Sequence, residues 1–532
     1  MTESSAEKLA IVIGGGITGL SAAYYLKKEA CEKNLPLRVL VVESESQLGG
    51  KVQTDLFDGF VMEKGPDSFL ARKPAALNLC LELGLQSELV GTNPAARKTY
   101  ILKNGKLHRI PAGLNIGIPT QFVPFATTGL LSVSAKIRAA MDLFMPRSEQ
   151  EGDQSLGGFL ARRLGNEVVD SMAEPLLAGI YAGDSRQLSL RATFPQFESL
   201  EKQHGSLIRG MLAQAKQAKA QSAARTEPQH AAGNEPSDVT GGATAGGAVA
   251  RSETGSAPAA ASGQVTSATA VKKAIPNTVF LSLRGGLSQL IETLADAVGK
   301  ESILTNAAVR SVAPLVGQEG DAESPRYQVV MQDGAVYEAH TVIVTTPAYT
   351  SAKLLSASFS AAKILEKIPY STVATVVLTY HKEQISFPLD GTGFVVPKKE
   401  GRDITACTWV SSKWLHTAPA DKVLIRCYVG RAGEEAIVEE PDELIVQKVR
   451  KDLRDTMGIS AEPIFTRITR WRKSMPQYTV GHLERIEEFE KQAGKQFPGL
   501  LFAGAGFTGL GLPDCIQQGK QAAENASRFL QD

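Results

Sequence analysis

Paired cysteines and metal-type histidine motifs are absent from this sequence. Its 532 residues include five cysteines, an odd number with no Cys-x-x-Cys spacing. This pattern argues against a disulfide framework, a zinc site or the redox-active cysteine pair of a flavin disulfide reductase, and it is typical of a reducing cytoplasm. The seven histidines show neither HxxxH nor HExxH spacing. We therefore expect a cytoplasmic protein without a metal site.

Strong charge and long apolar runs are also lacking. The formal net charge is +1 and there is no long basic block, so nucleic-acid binding is not expected. No stretch approaches the roughly 20 apolar residues that a membrane-spanning helix needs. The polar N-terminus lacks the basic-then-apolar order of a signal peptide. With 43% hydrophobic and 21% charged residues, the composition is that of an ordinary soluble protein, and the length predicts two or three domains.

Large apolar residues nearly disappear from one internal segment, residues 217–275. The segment is rich in Ala, Gly, Ser and Thr. Such a composition buries too little apolar surface to offset the entropy of ordering. We therefore predict a disordered insert that carries no chemistry.

What the sequence does contain is a glycine motif between two apolar runs near its start. Residues 11–13 (IVI) lead into Gly14-x-Gly16-x-x-Gly19, a helical pattern follows, and a second apolar run ends on Glu43. This order predicts a βαβ unit that binds a dinucleotide, with the pyrophosphate at the helix N-terminus and the ribose hydroxyls on the acid. The predicted contacts are Gly14, Gly15, Gly16, Ile17, Thr18, Gly19, Glu43 and Ser44.

A second glycine pair, Gly49 and Gly50, follows the acid and precedes Lys51. Such a pair is expected where a chain folds back over the pyrophosphate of a flavin dinucleotide, and it is uncommon in plain nicotinamide domains. The sequence therefore favours FAD over NAD, with contacts from Gly50 and Lys51. A surface turn without a ligand is the alternative.

A similar strand, glycine turn and helix close the chain. Residues 499–503 are mostly apolar, residues 504–511 contain four glycines, and a helical pattern follows from residue 516. The N-terminus of this helix is expected to face the electron-rich edge of a flavin. A plain β–α turn is the alternative.

An amphipathic stripe lies in the mostly helical region between residues 90 and 215. Apolar residues recur there at helical spacing, with cations between them. Such a stripe either packs against the protein's own core or rests on a membrane surface, and packing is favoured. The apolar members are Leu130, Val133, Ile137, Met141 and Phe144, and the cations are Lys136, Arg138 and Arg147.

Four further motifs point to a family. They are residues 63–69 (EKGPDSF), 174–184 (EPLLAGIYAGD), 471–478 (WRKSMPQY) and 511–515 (GLPDC). With the glycine turns they resemble the oxygen-dependent porphyrinogen oxidases of the flavin amine-oxidase superfamily, in particular the bacterial coproporphyrinogen III oxidases, formerly grouped with the protoporphyrinogen oxidases. The resemblance covers nearly the whole chain except the insert, which departs from the family pattern and leaves the fold of residues 205–280 open.

The resemblance implies an α/β fold, α+β overall, with three domains. A discontinuous, Rossmann-like FAD-binding domain would take residues 1–69, 276–348 and 465–532. An antiparallel-sheet substrate domain would take residues 70–89 and 349–464, and a helical domain would take residues 90–216.

The resemblance also assigns roles to residues. It implies an adenine-side contact at Val309, a cation near the substrate at Lys73 with Arg72 beside it, and an apolar wall at Ile180. It implies no acid or base, because the pyrrole nitrogens of the substrate themselves supply electron density. Weaker candidates for a cation are Lys51, Arg97 and Lys98. Flavin contacts would come from Gly65, Pro66, Asp67, Ser68, Trp471, Thr508, Gly509, Leu510 and Gly511.

The implied activity is oxidation of coproporphyrinogen III to coproporphyrin III in haem biosynthesis, with O2 as acceptor and H2O2 as product. FAD would be bound non-covalently, because Cys515 stands in the Pro-Asp-Cys setting of the porphyrinogen branch. Protoporphyrinogen IX oxidation is the near alternative. A flavin amine oxidase, a carotenoid desaturase and a non-catalytic FAD-binding scaffold are less favoured. Peripheral contact with the inner face of the cell membrane, a haem-pathway enzyme as partner and the oligomeric state stay open.

Overall fold

Strands and helices alternate along the chain in the computed structural model, which describes residues 7–148, 151–224, 275–315 and 324–531. The strands are β1 (Lys8–Ile13), β2 (Leu37–Val42), β3 (Thr54–Phe57), β4 (Phe60–Glu63), β5 (Phe69–Leu70), β6 (Leu89–Gly91), β7 (Lys98–Lys103), β8 (Lys106–Arg109), β9 (Leu114–Asn115), β10 (Ile118–Pro119), β11 (Phe280–Leu283), β12 (Ile303–Leu304), β13 (Val309–Pro314), β14 (Tyr327–Met331), β15 (Val336–Ala339), β16 (Thr341–Val344), β17 (Tyr370–His381), β18 (Gly391–Val395), β19 (Ile404–Trp409), β20 (Lys422–Val429), β21 (Thr466–Pro476) and β22 (Leu500–Phe502). The α-helices are α1 (Ile17–Glu32), α2 (Pro74–Glu82), α3 (Phe122–Thr127), α4 (Val133–Ala140), α5 (Leu156–Leu164), α6 (Asn166–Val168), α7 (Glu174–Tyr181), α8 (Leu190–Thr193), α9 (Pro195–His204), α10 (Leu207–Ala224), α11 (Ser288–Val298), α12 (Ala348–Leu355), α13 (Lys363–Glu366), α14 (Val410–Lys413), α15 (Asp442–Met457), α16 (His482–Gln496) and α17 (Leu512–Phe529).

Parallel strands from distant parts of the chain form the central sheet, in the order β12-β2-β1-β16-β22. Ile11 lies opposite Leu40 on one side and Val342 on the other, and all three are buried. Burial on both faces explains why these strands read as continuous apolar runs in the sequence. The predicted Rossmann-like unit within a mixed α/β fold is confirmed.

Helices cover both faces of this sheet. On one face α1, α11 and α17 pack together, and on the other face α12 and α16 do so. The contact of α1 with α17 is especially close, because a Cβ on Gly519 would lie 2.4 Å from the carbonyl oxygen of Thr18. Any larger residue at 519 would push the two helices apart.

A second sheet has the order β21-β17-β20-β19-β18-β7-β8. Its pairs are antiparallel except for β18 with β7. The side chains of β20 alternate between two environments, as expected for a strand. Ile425 and Cys427 enter an apolar core closed by α15, whereas Leu424 and Arg426 face β4 and the residues that follow it.

Two segments pack differently from the domain ranges that the resemblance implies. The strands β7 and β8 fall within residues 90–216, implied to be helical, yet they complete one edge of the second sheet because β7 pairs with β18. Similarly, β21 falls within residues 465–532 of the implied FAD-binding domain but pairs along β17. Strand pairing therefore joins segments that the sequence order separates.

Helices α3 to α10 enclose a separate apolar core, at the end of which an ion pair is fully buried. The Arg163 guanidinium donates to the Asp142 carboxylate, to the Pro146 carbonyl at 2.9 Å and to the Gly205 carbonyl at 2.8 Å. Neither charged side chain has exposed surface. The pair thus ties the segment after α4 to the junction of α9 and α10.

The amphipathic stripe is mostly exposed, so the prediction that it packs against the protein's own core is wrong for four of its five members. Leu130 is buried, but α4 buries the small residues Ala135 and Ala139 rather than its large ones. A small-residue face lets the helix approach the core closely and turns the larger side chains outward. Helix α3 lies next to α4, because the Lys136 ammonium donates to the Ala126 carbonyl at 2.7 Å. We call these exposed side chains, with two of α3, the exposed apolar patch. Its members and their exposed fractions are Phe122 (55%), Val123 (73%), Val133 (72%), Ile137 (62%), Met141 (51%) and Phe144 (84%).

The described ranges contain no helix that is both long and apolar enough to cross a membrane, and no cluster of metal ligands. Helix α10 continues past residue 217 to Ala224, so the first residues of the predicted insert are helical. Residues 225–274 of that insert lie outside the described residues.

Replacing Asp142 with alanine is expected to destabilise the protein strongly. The change removes one of the two carboxylates that face the buried Arg163 guanidinium, so that only Glu201, at 3.3 Å, remains. It also leaves the Ser206 hydroxyl and the Ile208 N–H without their acceptor, and we expect the free energy of unfolding to fall by about 3 kcal/mol. Urea unfolding followed by far-UV circular dichroism measures the loss. The control is Asp170→Ala, because Asp170 pairs with Arg186 at the surface and such a pair contributes about 1 kcal/mol or less. Equal losses for the two variants would contradict the prediction.

Candidate active site

The turn between β1 and α1 requires glycine at two positions and is open at a third. Gly14 has a φ of 110°, which other residues rarely adopt. A Cβ on Gly19 would lie 1.9 Å from the carbonyl oxygen of Gly14, whereas a Cβ on Gly16 would meet no heavy atom within 4 Å. The open side of Gly16 is therefore where the predicted pyrophosphate has room.

The N-terminus of α1 offers donors beside that open space. Its N-cap is Gly16, which has no side-chain acceptor, and the first intrahelical bond runs from the Leu20 N–H to the Gly16 carbonyl at 3.0 Å. The amides of Ile17, Thr18 and Gly19 precede that bond, so they have no partner within the helix. Amides in this position, together with the helix dipole, bind phosphate.

The second glycine pair lies directly against the first turn. The Gly49 N–H donates to the Gly15 carbonyl at 2.9 Å, and Gly49 forms an isolated bridge with Gly16. A Cβ on Gly50 would lie 3.6 Å from the Cα of Gly16. Two glycine turns from separate loops thus border the same open space, as expected if both hold one pyrophosphate.

Glu43 is tied both to the glycine turn and to the segment that leads into Val309. Its Oε2 accepts from the Gly15 N–H at 2.6 Å, and its Oε1 accepts from the Ser44 hydroxyl at 2.9 Å. Its backbone carbonyl accepts from the Ala307 N–H at 2.8 Å, and Val309 begins β13 two residues later. The structure therefore brings together the residues predicted to hold the ribose and the adenine.

The loop of residues 65–68 is anchored through Asp67. The carboxylate lies 2.9 Å from the Lys413 ammonium and 3.2 Å from the Arg426 guanidinium, and it accepts from the Ser68 hydroxyl at 2.7 Å. Burial would raise the pKa of Asp67, but the two cations and the hydroxyl hold it well below its usual range. A charged Asp67 thus fastens this loop to β20 and α14.

Lys51, Gly65 and Trp471 meet beside that loop, next to Pro66. A Cβ on Gly65 would lie 2.0 Å from the carbonyl oxygen of Lys51, and the Trp471 indole donates to the carbonyl before Gly65 at 2.9 Å. The Lys51 ammonium donates to the Ser474 carbonyl, and burial lowers the pKa of Lys51. Lys51 is therefore held by β21 and is not a free cation for a substrate.

The C-terminal glycine turn is clamped by two rings that sequence reasoning left without a role. The Tyr478 hydroxyl donates to the Ala505 carbonyl at 2.7 Å and accepts from the Gly509 N–H at 2.8 Å. His482 stacks on this ring at 4.1 Å, and its Nε2 lies 2.7 Å from the Phe507 carbonyl. Burial lowers the pKa of His482 to about 4, so the neutral ring donates that bond. No sequence motif marks this pair, because Tyr478 lies before α16 and His482 begins it.

Thr508 and Leu510 belong to the same clamp. The Gln518 amide nitrogen donates to the Thr508 carbonyl at 2.8 Å and to the Gly509 carbonyl at 3.2 Å. The Cys515 sulfur lies 3.8 Å from the Leu510 carbonyl. The backbone of the turn is thus fixed from the first turns of α17.

Lys73 reaches this turn through an ion pair. Its ammonium lies 2.6 Å from both carboxylate oxygens of Asp514, in the first turn of α17. A Cβ on Gly509 would lie 2.7 Å from the Cβ of Asp514, and one on Gly511 would lie 3.0 Å from its Oδ2. Asp514 therefore occupies the space that a side chain on either glycine would need.

Ile180 lies near the end of α7 and is 49% exposed. Its neighbour Tyr181 is within electrostatic reach of Asp514: burial first, and the Asp514 charge second, raise the pKa of Tyr181 to about 12. The end of α7 that carries Ile180 is therefore within reach of the Asp514 charge.

The other predicted cations do not join this group. Arg72 and Arg97 are exposed at the surface. The Lys98 ammonium pairs with the Asp390 carboxylate. Of these residues and Lys51, none makes a described contact with Asp514.

Comparisons with known proteins identify the class of protein that this fold and site define. Residues 17–527 match the family described as flavin containing amine oxidoreductase. The chain is 41% identical to a coproporphyrinogen III oxidase of Bacillus subtilis (strain 168), over 99% of each sequence. It is 37% identical to a coproporphyrinogen III oxidase of Staphylococcus aureus (strain NCTC 8325 / PS 47), over 97% of this chain and 98% of that one.

A solved structure supports the same class of protein. A protein from Exiguobacterium sp. 255-15, provisionally described as a protoporphyrinogen oxidase, superposes with a TM-score of 0.78 at 33% identity, covering 99% of this chain and 100% of that one. The chain therefore belongs to the flavin-containing amine oxidoreductase family and, within it, to the group of the coproporphyrinogen III oxidases. It is an oxidoreductase, and its cofactor is a flavin.

The residues fit that cofactor. The open space beside Gly16 and Gly50, bordered by the uncapped N-terminus of α1, suits an anionic linker. The N-terminus of α17 also begins at a glycine without a side-chain cap. The arrangement thus provides donors for phosphates at one end and a positive helix end at the other.

One buried carboxyl in the site region has an unusual environment. Glu63, directly before the loop, is 8% exposed and borders an open cleft of about 340 Å³. It accepts from the Leu287 N–H at 2.6 Å and from the Thr54 hydroxyl at 2.9 Å. Burial raises the pKa of Glu63 to about 7, although these bonds oppose the shift.

The Glu63→Gln variant is expected to lose a pH dependence that the parent protein shows. Because the pKa of Glu63 is higher in the folded chain than the 4.5 of an unperturbed glutamate, protonated Glu63 stabilises the fold below about pH 4.5. That stabilisation fades as the pH rises through 7. Between pH 5 and pH 8 the parent should lose about 2–3 kcal/mol of unfolding free energy relative to the variant.

Urea unfolding at both pH values measures this difference. The exposed Glu32→Gln serves as the matched control, because it removes a carboxylate that lies at the surface. A parent and a Glu63→Gln protein with the same pH dependence would refute the assignment of a titrating proton to Glu63.

Proposed function

We propose that the protein is an FAD-dependent oxidase that converts coproporphyrinogen III to coproporphyrin III in haem biosynthesis, reducing O2 to H2O2. The observation that carries the proposal is the ion pair of Lys73 with Asp514 at the C-terminal glycine turn. The exposed Ile180 adjoins Tyr181, on which the Asp514 charge acts. A cation and an apolar wall suit a macrocycle that bears carboxylates. The names of the two relatives with 41% and 37% identity support the same substrate.

FAD would lie along both glycine turns. The pyrophosphate would be held by Gly14, Gly15, Gly16, Ile17, Thr18, Gly19 and Gly50, the ribose by Glu43 with Ser44, and the adenine by Val309. The isoalloxazine would contact Gly65, Pro66, Asp67, Ser68, Trp471, Thr508, Gly509, Leu510 and Gly511, with Lys51 alongside. When bound, the flavin supplies two-electron oxidation of the substrate and passes the electrons to O2.

The cofactor would be non-covalent. Cys515 is the cysteine next to the C-terminal turn, but it is buried. Burial raises the pKa of Cys515 to about 11, against the smaller effects of Thr18 and the Lys51 charge. The thiolate that would be needed to attack a flavin is therefore scarce.

The protein's own residues would orient the substrate rather than react with it. Lys73 would bind a carboxylate of the substrate, with Arg72 at the rim, and Ile180 would pack against the macrocycle. Holding the reacting carbon in place and excluding water account for the catalysis that side chains supply. The near alternative is protoporphyrinogen IX, which the provisional description of the solved relative favours.

Fluorescence and oxygen uptake test this function together. The purified protein should convert coproporphyrinogen III to a fluorescent porphyrin faster than protoporphyrinogen IX, consuming three O2 per porphyrin, because six electrons leave the substrate two at a time. The Gly16→Val variant is the matched control, because its extended backbone (φ −74°, ψ 176°) accepts valine while the side chain fills the open space. It should purify without flavin and without activity. A parent that yields no porphyrin, or a ratio far from three, would refute the proposal.

We further propose that the exposed apolar patch rests on the inner face of the cell membrane as a peripheral contact. Ile137 on α4 and Phe144 in the turn after it are 62% and 84% exposed. The cations Lys136 and Arg147 lie in the same stretch of chain, Arg147 at the surface. Apolar side chains flanked by cations suit a surface of anionic lipid.

The double variant Ile137→Glu, Phe144→Glu should bind anionic vesicles at least about tenfold more weakly than the parent, since two apolar side chains no longer insert. Co-sedimentation with phosphatidylglycerol vesicles measures this. Val336→Glu is the control, because Val336 is also half exposed but lies on β15, outside the patch. A parent that fails to sediment while the patch variant loses binding to a haem-pathway enzyme would assign the patch to a protein partner instead.

A further inference from the structure

In the ion pair of Lys73 with Asp514, the two charges depend on each other to different degrees for their stabilisation. Lys73 is the N-cap of α2, with no side-chain acceptor for the helix amides. A positive charge at that end is opposed by the helix dipole. Its side chain is 42% exposed, and it gains nothing from apolar burial. Lys73 is therefore poorly placed unless an anion binds it.

Asp514 has the opposite situation. It lies in the first turn of α17, where the helix dipole stabilises negative charge whether or not a cation is present. Its side chain also packs over Gly509 and Gly511, which fixes its position. Losing the ion pair with Lys73 therefore costs Asp514 little free energy. Lys73, in contrast, needs a carboxylate to stabilise its charge.

A second carboxylate cannot share Lys73 equally with Asp514, because Asp514 would repel it. Both oxygens of Asp514 lie 2.6 Å from the ammonium, so the pair is nearly neutral as seen by an approaching anion. A second carboxylate that came within bonding distance of the same nitrogen would also approach Asp514. Like charges at such a separation repel by about 1 kcal/mol or more near a protein surface.

We propose that Asp514 is an internal competitor for the carboxylate of the substrate. This inference rests on the proposed function. Lys73 is bound to Asp514 in the substrate-free protein and exchanges it for a propionate when the porphyrinogen enters. When the product leaves, Asp514 takes Lys73 back, so product release does not expose an unpaired cation.

The exchange has a consequence for selectivity. A small carboxylate offers Lys73 nothing that Asp514 does not already provide, so it does not displace Asp514. A porphyrinogen adds contact with the apolar side of α7 at Ile180 and therefore can. Asp514 thus weakens binding of every carboxylate, and only ligands with an apolar body overcome it.

The Asp514→Asn variant tests this in the FAD-loaded protein. Fluorescence titration with coproporphyrin III should show binding about three- to five-fold tighter than for the parent, the size of one exposed ion pair. Propionate should inhibit the variant more strongly than the parent. Both gains should shrink in high salt, because the interaction is partly exposed. A purely structural role of Asp514 predicts the reverse, namely weaker binding.

The double-mutant cycle isolates the pair. Lys73→Met should weaken coproporphyrin III binding. Adding Asp514→Asn to Lys73→Met should give a smaller gain than it gives in the parent, because it then removes only the repulsion between Asp514 and the propionate and frees no cation. Asp170→Asn is the matched control, an exposed Asp–Arg pair outside the site, and it should bind as the parent does. Flavin content and absorbance are recorded for each variant, so that loss of cofactor is recognised.

The possible failures are distinguishable. If the parent forms no porphyrin from either porphyrinogen, the proposed function fails. If the parent is active but Asp514→Asn binds coproporphyrin III equally or more weakly with its flavin intact, the exchange is wrong while the function stands. A gain from Asp514→Asn that is as large in Lys73→Met as in the parent would also overturn the exchange.

Discussion

The close contact between α1 and α17 is the constraint on which the site depends. Gly519, about two turns into α17, leaves no room for a side chain opposite Thr18 in the first turn of α1. Cys515, in the first turn of α17, also interacts with the Thr18 hydroxyl, so the beginnings of the two helices lie next to each other. Each begins at a glycine N-cap without a side-chain acceptor, so two positive helix ends and their free amides face one region. The pyrophosphate turn, the C-terminal turn and the ion pair of Lys73 come together there because the helices do. A site for an anionic cofactor thus follows from backbone packing before any charged side chain is considered.

Buried charge then sets the shape of the loop between the two sheets. Asp67, Arg426 and Lys413 are removed from water, which costs several kcal/mol per ion unless every charge is matched. An apolar contact would hold the loop without this loss of free energy, but it would allow the loop to move by small distances. Directed ionic bonds fix residues 65–68 in one arrangement, and Trp471 adds a further bond from β21. This part of the protein therefore gains a defined loop geometry at some cost in stability.

Much of this could be predicted from local sequence. The glycine spacing specified the first βαβ unit, because Gly14 has a φ of 110° and Gly19 lies against the carbonyl of Gly14 in the same turn. The motif of residues 511–515 located the second turn. The partners of Asp67 could not be found this way, since Lys413 and Arg426 lie hundreds of residues away. The prediction for the amphipathic stripe was wrong for a different reason. Periodicity shows which residues share a helix face, but not which face packs against the core. In α4 the buried face is that of Ala135 and Ala139. His482 was overlooked because its neutral, stacked ring has no sequence motif.

The order of strands in the central sheet has a consequence for biosynthesis. Strand β16 lies between β1, made at the start of translation, and β22, made near residue 500. Until that segment leaves the ribosome, β16 presents an unpaired edge and α1 lacks the helix that covers it, a situation that favours association with chaperones or with other chains. The region around the first glycine turn is therefore complete only after α17, which lies hundreds of residues later in the chain, has been synthesised.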